Sequence, residues 1–289
     1  MSRGGGRGNR RGGHRYDRGG DQRLREAKDE QRQLIDDSSE IIKTFKQFAL
    51  QLDAKHDRHE RIVKLSRDVT IESKRIIFLI HTINSSNDSK KEQILDQANT
   101  RLKQVETNLF QAIAKELVGE DPHQFLRAFS AGLQEYIEAK TFYQFMVSAS
   151  IPHWNEIQKD LTFAQEATEE GAEASEIQTP VLPTEYMLGV GDLTGELMRR
   201  CINCVGMGEL DACKQLCGFL RQVYRIFAGF DTFGYKEFGR KTYVMRQSLA
   251  KTENVCYTIQ VRGSEVPKHL LAQAIHMSMD NPDEDEGFY

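Results

Sequence analysis

Apolar residues recur at three- and four-residue spacings along most of the chain, a periodicity that predicts a helical protein. From about Ser39 to Ile83 the rhythm is carried, with gaps, by Ile41, Phe45, Phe48, Leu52, Ile62, Leu65, Val69, Ile76, Leu79 and Ile83. No proline interrupts it. At 1.5 Å per residue such a helix spans roughly 65 Å, which favours an elongated bundle. Asn84–Ser89 has the composition of a turn. A second helix is predicted from about Lys90 to Leu117, with Ile94, Leu95, Ala98, Leu102, Val105, Leu109 and Ile113 on one side and Gly119 ending it. Asp121 and Pro122 then supply an N-cap and a first helical residue for a third helix over about 122–148.

Between Ser150 and Pro183 the rhythm breaks. Gln165–Thr179 holds five glutamates and no basic residue, and Pro180 and Pro183 close it, so an acidic mobile loop is expected over about 165–182. Trp154 is placed to anchor the start of this region to the core. Thr184 is the expected cap of a fourth helix over about 185–205, with Glu185 in its first turn. Gly189, Gly191 and Gly195 lie inside that helix. Each costs about 1 kcal/mol of helix propensity, which the close approach of a neighbouring helix would offset. Further helices are predicted at about 209–230 and 234–261, with a short last one from Pro267. The pattern describes an all-α bundle of about seven helices with one long N-terminal helix. Three regions follow: an arm over 1–36, a helical domain over 37–277 and an acidic tail over 278–289.

Charge separates the arm from the rest. The net charge of −4 conceals ten Lys/Arg and five Asp/Glu in residues 1–33, against 29 basic and 38 acidic side chains beyond them. Residues 1–20 contain eight glycines and six arginines, too little apolar surface for independent order. With His14 and Tyr16 interleaved, this Arg/Gly-rich arm suits sequence-tolerant contact with RNA; a solvated tail fits the composition equally well. No apolar run of 18 residues is present, so no membrane partner is expected. The absence of a signal-peptide pattern leads to an expected intracellular location, assigned to cytoplasm and nucleus.

The five cysteines are Cys201, Cys204, Cys213, Cys217 and Cys256. The first four have zinc-like spacing, but they lie within helical patterns and the two pairs are close together, so free core thiols are expected.

The chemistry-bearing signal is acidic. In GLQEYIEA, Glu135 and Glu138 leave one helical face, within a stripe made otherwise of Ala128, Ala131, Phe142 and Phe145. Like charges on a core-facing stripe are costly unless cations or donors balance them. GDLTGELM repeats the theme with Asp192 and Glu196, four residues apart. Four carboxylates on two helices suit a hard divalent ion such as Mg²⁺, which can activate water against a phosphodiester. Ion pairing with neighbouring cations, Arg199 and Arg200 among them, is the other reading, and spacing leaves both open. Arg58, Arg61, Lys64 and Arg67, on a charged stretch of the first helix, form a candidate phosphate-contacting strip; a solvated face is the plainer account. His56 and His59 lack the core-facing setting of metal ligands. No P-loop, dinucleotide fingerprint or nucleophile–His arrangement is present.

Four blocks carry a family resemblance: LDAKHDRHERIVKLSRDVTIESKR (52–75), GEDPHQFLRAFSAGLQEYIEA (119–139), GVGDLTGELMRRCINCVG (189–206) and LAKTENVCYTIQVRGSEVPKH (249–269). They resemble the translin family, in order and over roughly residues 38–275; the arm and the acidic loop lie outside the resemblance. The resemblance implies a translin-like helical fold and obligate assembly with translin into a hollow hetero-oligomer that encloses RNA. It further implies a Mg²⁺-dependent endoribonuclease, with Mn²⁺ able to substitute, that cuts single-stranded RNA. The substrates it implies include the nicked passenger strand in RNA interference and transfer-RNA precursors, with DNA as a further ligand. The family's acidic residues fall on Glu135, Glu138, Asp192 and Glu196. Glu138 and Glu196 are assigned as metal ligands, with Glu135 and Asp192 positioning metal or water. The alternative is a non-catalytic partner that stabilises and localises translin.

Overall fold

A computed structural model describes residues 39–84, 88–165, 175–230 and 236–262. The arm, the short helix expected from Pro267 and the acidic tail lie outside the described residues. Met1–His56 and Asp57–Tyr289 form separate compact units. In the first, the described residues are the start of helix α1 (Glu40–His81), with Ile41, Phe45, Phe48, Leu50 and Leu52 exposed.

Seven helices are found among the described residues: six follow the apolar rhythm, and the seventh, over Trp154–Asp160, lies where a loop is expected. The second, α2, runs through Asp88–Gln104, a π-helical turn over Val105–Phe110, and Gln111–Glu116. Gln104, Phe110 and Gln111 all keep right-handed helical angles, so the rod is continuous. Val105, Glu106 and Phe110 of the π turn are all buried. Glu106 accepts hydrogen bonds from the Tyr136 hydroxyl at 2.6 Å and Lys140 Nζ at 2.8 Å, and Lys140 also meets Asp160 at 2.8 Å. Burial, reinforced by the Glu106 charge, holds the Tyr136 phenol well above its ordinary pKa.

Helix α3 (Pro122–Ser148) begins as expected: Asp121 accepts from the His123 backbone N–H at 3.0 Å, with Pro122 as the first helical residue. Ala131, placed by the sequence on the core-facing stripe, is instead exposed.

The region expected to be a loop holds a short helix, α4 (Trp154–Asp160), and two antiparallel strands, β1 (Thr162–Gln165) and β2 (Ser175–Gln178). Phe163 pairs with Ile177. A capping box between His153 and Glu156 starts α4. Trp154 Nε1 donates to the Val181 carbonyl at 2.6 Å, and Thr179 Oγ1 to the Phe110 carbonyl at 2.9 Å. The tryptophan anchor therefore holds, while residues 175–182 are tied down rather than mobile; 166–174 lie outside the described residues. Strands of four residues carry too little alternation to stand out from a loop in the sequence.

Helix α5 (Pro183–Met207) starts one turn position earlier than its polar residues suggest. Leu182, in extended conformation, precedes Pro183, and Thr184 caps nothing. Glu185 turns inward and accepts from Ser130 Oγ and Gln134 Nε2, both at 2.7 Å. Helices α6 (Leu210–Ala228) and α7 (Lys236–Arg262) complete the bundle. The buried core joins Ile62, Ile76 and Ile80 of α1, Phe129, Leu133, Ile137 and Phe142 of α3, Leu193 and Leu197 of α5, Leu220 and Phe227 of α6, and Met245 and Val255 of α7. Among the described residues no helix is long and apolar enough to cross a membrane.

Of Gly189, Gly191 and Gly195, only one has the close neighbour expected for all three. A β-carbon on Gly189 would lie 2.7 Å from Ile137 Cβ and 2.9 Å from the Gln134 carbonyl oxygen, so α5 rests directly on α3 there. Around Gly191 the contacts are ordinary, and Gly195 has open space. A second tight crossing, unmarked by the hydrophobic pattern, is Gly132, where a β-carbon would lie 2.6 Å from the Ser66 carbonyl oxygen of α1. In denaturant unfolding, Gly189→Ala and Gly132→Ala are expected to lose about 1–3 kcal/mol through overpacking. Gly195→Ala should instead gain up to about 1 kcal/mol of helix propensity; equal effects at positions 189 and 195 would contradict the packing described.

Candidate active site

The contact at Gly189 aligns two acidic faces. Asp192 and Glu196 follow it by three and seven residues on α5, while Glu138 adjoins Ile137 on α3. All four predicted acids, Glu135, Glu138, Asp192 and Glu196, line one cavity of about 690 Å³. Helix α1 contributes Lys74, Ile77 and Phe78 to its wall, and α7 contributes Arg240, Lys241 and Val244.

Three of the acids have cationic or imidazole partners. Glu135 pairs with Lys74 at 3.1 Å, and Asp192 accepts from Lys241 Nζ. Glu196 Oε2 lies 2.5 Å from His81 Nε2 and 3.1 Å from Arg199. The His81 ring packs against Phe142, with centroids 4.8 Å apart, and its buried Nδ1 has no hydrogen-bond partner among the described residues.

Glu138 differs. It is 9% exposed and has no ion-pair or side-chain hydrogen-bond partner among the described residues. Burial, followed by the negative charges of Asp192, Glu135 and Glu196, pushes its pKa up to about 8, with Lys241 pulling the other way.

The donor set fits a hard divalent cation. Four carboxylates around one cavity supply only oxygen, and the repulsion concentrated on Glu138 is what a bound dication would relieve. Among the described residues no three His, Cys, Asp or Glu side chains converge closely enough to hold an ion as they stand. Three of the four carboxylates are instead turned to Lys74, Lys241, and His81 with Arg199. Lysine is a compact charge on a flexible stem, so both lysine contacts can yield.

The basic strip lies elsewhere. Arg58 pairs with Glu120, and Arg61 makes two hydrogen bonds to Glu116, at 2.8 and 2.9 Å. That guanidinium holds the Glu116 carboxyl below its ordinary pKa. Lys64 and Arg67 are exposed, and none of the four lines the acidic cavity. Arg200, offered by the sequence as a partner for these acids, turns away to the Ile83 carbonyl at 2.6 Å and towards Glu209 at 3.7 Å.

The hydrophobic pattern did not single out Lys74, His81, Arg240 or Lys241. A signal was available for the first two: Lys74, Ile77, Phe78 and His81 share one helical face by their spacing.

The model of the translin family matches residues 57–263. The chain belongs to the translin family. It is 46% identical over 273 residues to Translin-associated protein X of Pongo abelii, covering 91% of each chain. It is 47% identical over 259 residues to the protein of that name from Mus musculus, covering 86% of this chain and 88% of the relative. A Schizosaccharomyces pombe homolog of Translin-associated protein X is 31% identical over 225 residues, covering 77% of this chain and 88% of its own. The crystal structure of apo-NeC3PO shares the translin-family fold at 19% identity, with a TM-score of 0.54, covering 72% of this chain and 93% of that one. An AfC3PO–duplex RNA complex matches at 17% identity and a TM-score of 0.50, covering 81% and 98%.

The Glu138 environment sets a pH dependence. Its folded pKa, about 8, is above the usual 4.5, so the folded state keeps a proton that the unfolded chain gives up. Stability is therefore lost as pH rises from about 4.5 through about 8. With EDTA present, thermal unfolding of Glu138→Gln should show a flatter decline over that window and a higher Tm above pH 8 than the parent protein. Identical pH profiles would contradict the charge cluster described.

Proposed function

We propose that this chain is the catalytic subunit of a metal-dependent endoribonuclease that works in hetero-oligomeric assembly with translin and cleaves single-stranded RNA. The observation that carries the reading is the meeting of four carboxylates from α3 and α5 in one cavity, with Glu138 buried and uncompensated. Mg²⁺, with Mn²⁺ as a substitute, would be held by Glu138 and Glu196 with Glu135 and Asp192 completing the site, and would supply activation of water and neutralisation of charge on the phosphodiester. The chain's own residues supply the setting. His81 holds Glu196 by hydrogen bond, fixing the orientation of that carboxylate. Lys74, Arg199, Arg240 and Lys241 ring the acids and present positive charge to the phosphates of a bound strand. Ile77, Phe78 and Val244 give the cavity apolar wall, which lowers the local dielectric and strengthens those contacts.

Assembly with translin is supported by family membership and by the printed name of the mammalian relatives. Binding of RNA is supported by the RNA complex of AfC3PO. On this reading the substrates are the nicked passenger strand of RNA interference and transfer-RNA precursors, and the protein acts in cytoplasm and nucleus. In the assembled complex, Glu138→Ala should lower cleavage of single-stranded RNA by on the order of 10²-fold or more, since a lost ligand removes several kcal/mol of barrier stabilisation. Unchanged cleavage with intact assembly would overturn the proposal.

A second reading is favoured by a specific observation: Glu135, Asp192 and Glu196 already have partners, as a structural cluster would. The subunit would then stabilise and localise translin without cutting. Calorimetric titration of the complex with Mn²⁺ separates the two. The catalytic reading expects binding that Glu138→Gln and Glu196→Gln weaken at least about tenfold, as loss of an inner ligand does. No binding to the parent complex supports the structural reading.

A further inference from the structure

Away from the acidic cavity, α5, α6 and α7 bring five free thiols together. Cys201, Cys204, Cys213 and Cys217 are buried; Cys256 of α7 is partly exposed. The thiols interlock: Cys201 Sγ donates to the Cys213 carbonyl at 3.9 Å, Cys213 Sγ to the Cys201 carbonyl at 3.4 Å, and Cys256 Sγ to the Cys213 carbonyl at 3.5 Å. Among the described residues they form no metal-holding group.

Cys256 of α7 faces α6 beside Cys217: its Sγ reaches the Cys213 carbonyl, one helical turn before Cys217. One helical turn beyond each, the seam is bridged by Arg221 and Glu253 at 2.6 Å, so the two helices are in register here. Arg221 and Glu253 are themselves exposed, which brings the positive guanidinium and solvent to the same edge as Cys256.

We propose that Cys256 is a site of oxidative modification by hydroperoxides, with Cys217 the thiol that resolves it as a disulfide between α6 and α7. The environment divides the roles. Cys256 is the one thiol of the five that is not buried, and it shares its edge with the Arg221 guanidinium, which favours the thiolate. Burial pushes Cys217 up to about 11 and Cys204 up to about 12, leaving both as neutral thiols. The accessible, ionised sulfur attacks first. The Cys256 thiolate displaces hydroxide from the O–O bond of hydrogen peroxide, forming a sulfenic acid, and the hydroxide takes a proton to become water. Cys217 sulfur then attacks the sulfenyl sulfur. The S–O bond breaks, and the departing hydroxide carries off the Cys217 proton as a second water. Two electrons pass from the two thiols to the peroxide, and a thiol reductant reverses the change.

The test uses the full chain in its native assembly. At pH 7, Cys256 should be alkylated by iodoacetamide at least about tenfold faster than any other cysteine, because thiolate character and exposure coincide there. Stoichiometric hydrogen peroxide should yield a Cys217–Cys256 disulfide, identified by peptide mass spectrometry and removed by dithiothreitol. In Cys217→Ser, dimedone should trap a sulfenic acid on Cys256. Equal alkylation of the five thiols would overturn the proposal without requiring any variant, as would a peroxide-induced disulfide that omits Cys217 or Cys256.

Discussion

The direct contact of α5 with α3 at Gly189 is the constraint from which the rest of the molecule's chemistry follows. A hydrogen atom there lets the α5 backbone rest on Ile137 and the Gln134 carbonyl, where even a methyl group would be 2.7 Å from its nearest neighbours. The glycine is unfavourable within its own helix, and close packing offsets it. Because the contact sits one residue from Glu138 and three from Asp192, packing the two helices also packs their acids.

That arrangement makes an electrostatic problem which neighbouring helices solve only in part. Lys74 and His81 reach in from α1, and Lys241 from α7, to meet Glu135, Glu196 and Asp192. Each of these pairs crosses between helices, so the charges also tie α1 and α7 to the α3–α5 pair. Glu138 remains without a counter-charge in contact and keeps its proton to about pH 8. The other buried acid of α2 and α3 makes an instructive contrast. Glu106, in the π turn, is met by both Tyr136 and Lys140, and Lys140 is met again by Asp160. A buried network with every member satisfied stabilises one arrangement of the core. A buried carboxylate among like charges, with no cation in contact, instead keeps its proton well above the usual carboxylate range.

The thiol cluster shows the same principle in a different chemistry. Four sulfurs are shielded by burial, while the fifth shares the protein edge with Arg221. In both sites the residue type is ordinary and its surroundings select the reactivity.

The sequence by itself determined the helical architecture, because apolar residues at 3.6-residue periodicity bury themselves the same way wherever they occur. It placed α3 over 122–148 with Asp121 as its cap, and it singled out Glu135, Glu138, Asp192 and Glu196 as acids on faces that adjoin a core. Free thiols were legible as well, from helical context and an odd count. Local pattern could not decide the short strands at Thr162–Gln165 and Ser175–Gln178, the start of α5 at Pro183 rather than after Thr184, or which of three glycines mattered. Each of these depends on groups distant along the chain. The partners were likewise undecided. Arg61 meets Glu116, Arg200 turns to the Ile83 carbonyl, and Lys241 arrives from 49 residues away to hold Asp192. Periodicity says which face of a helix a charge occupies; which opposite charge meets it is set only when the helices pack, since Coulomb attraction depends on distance in space.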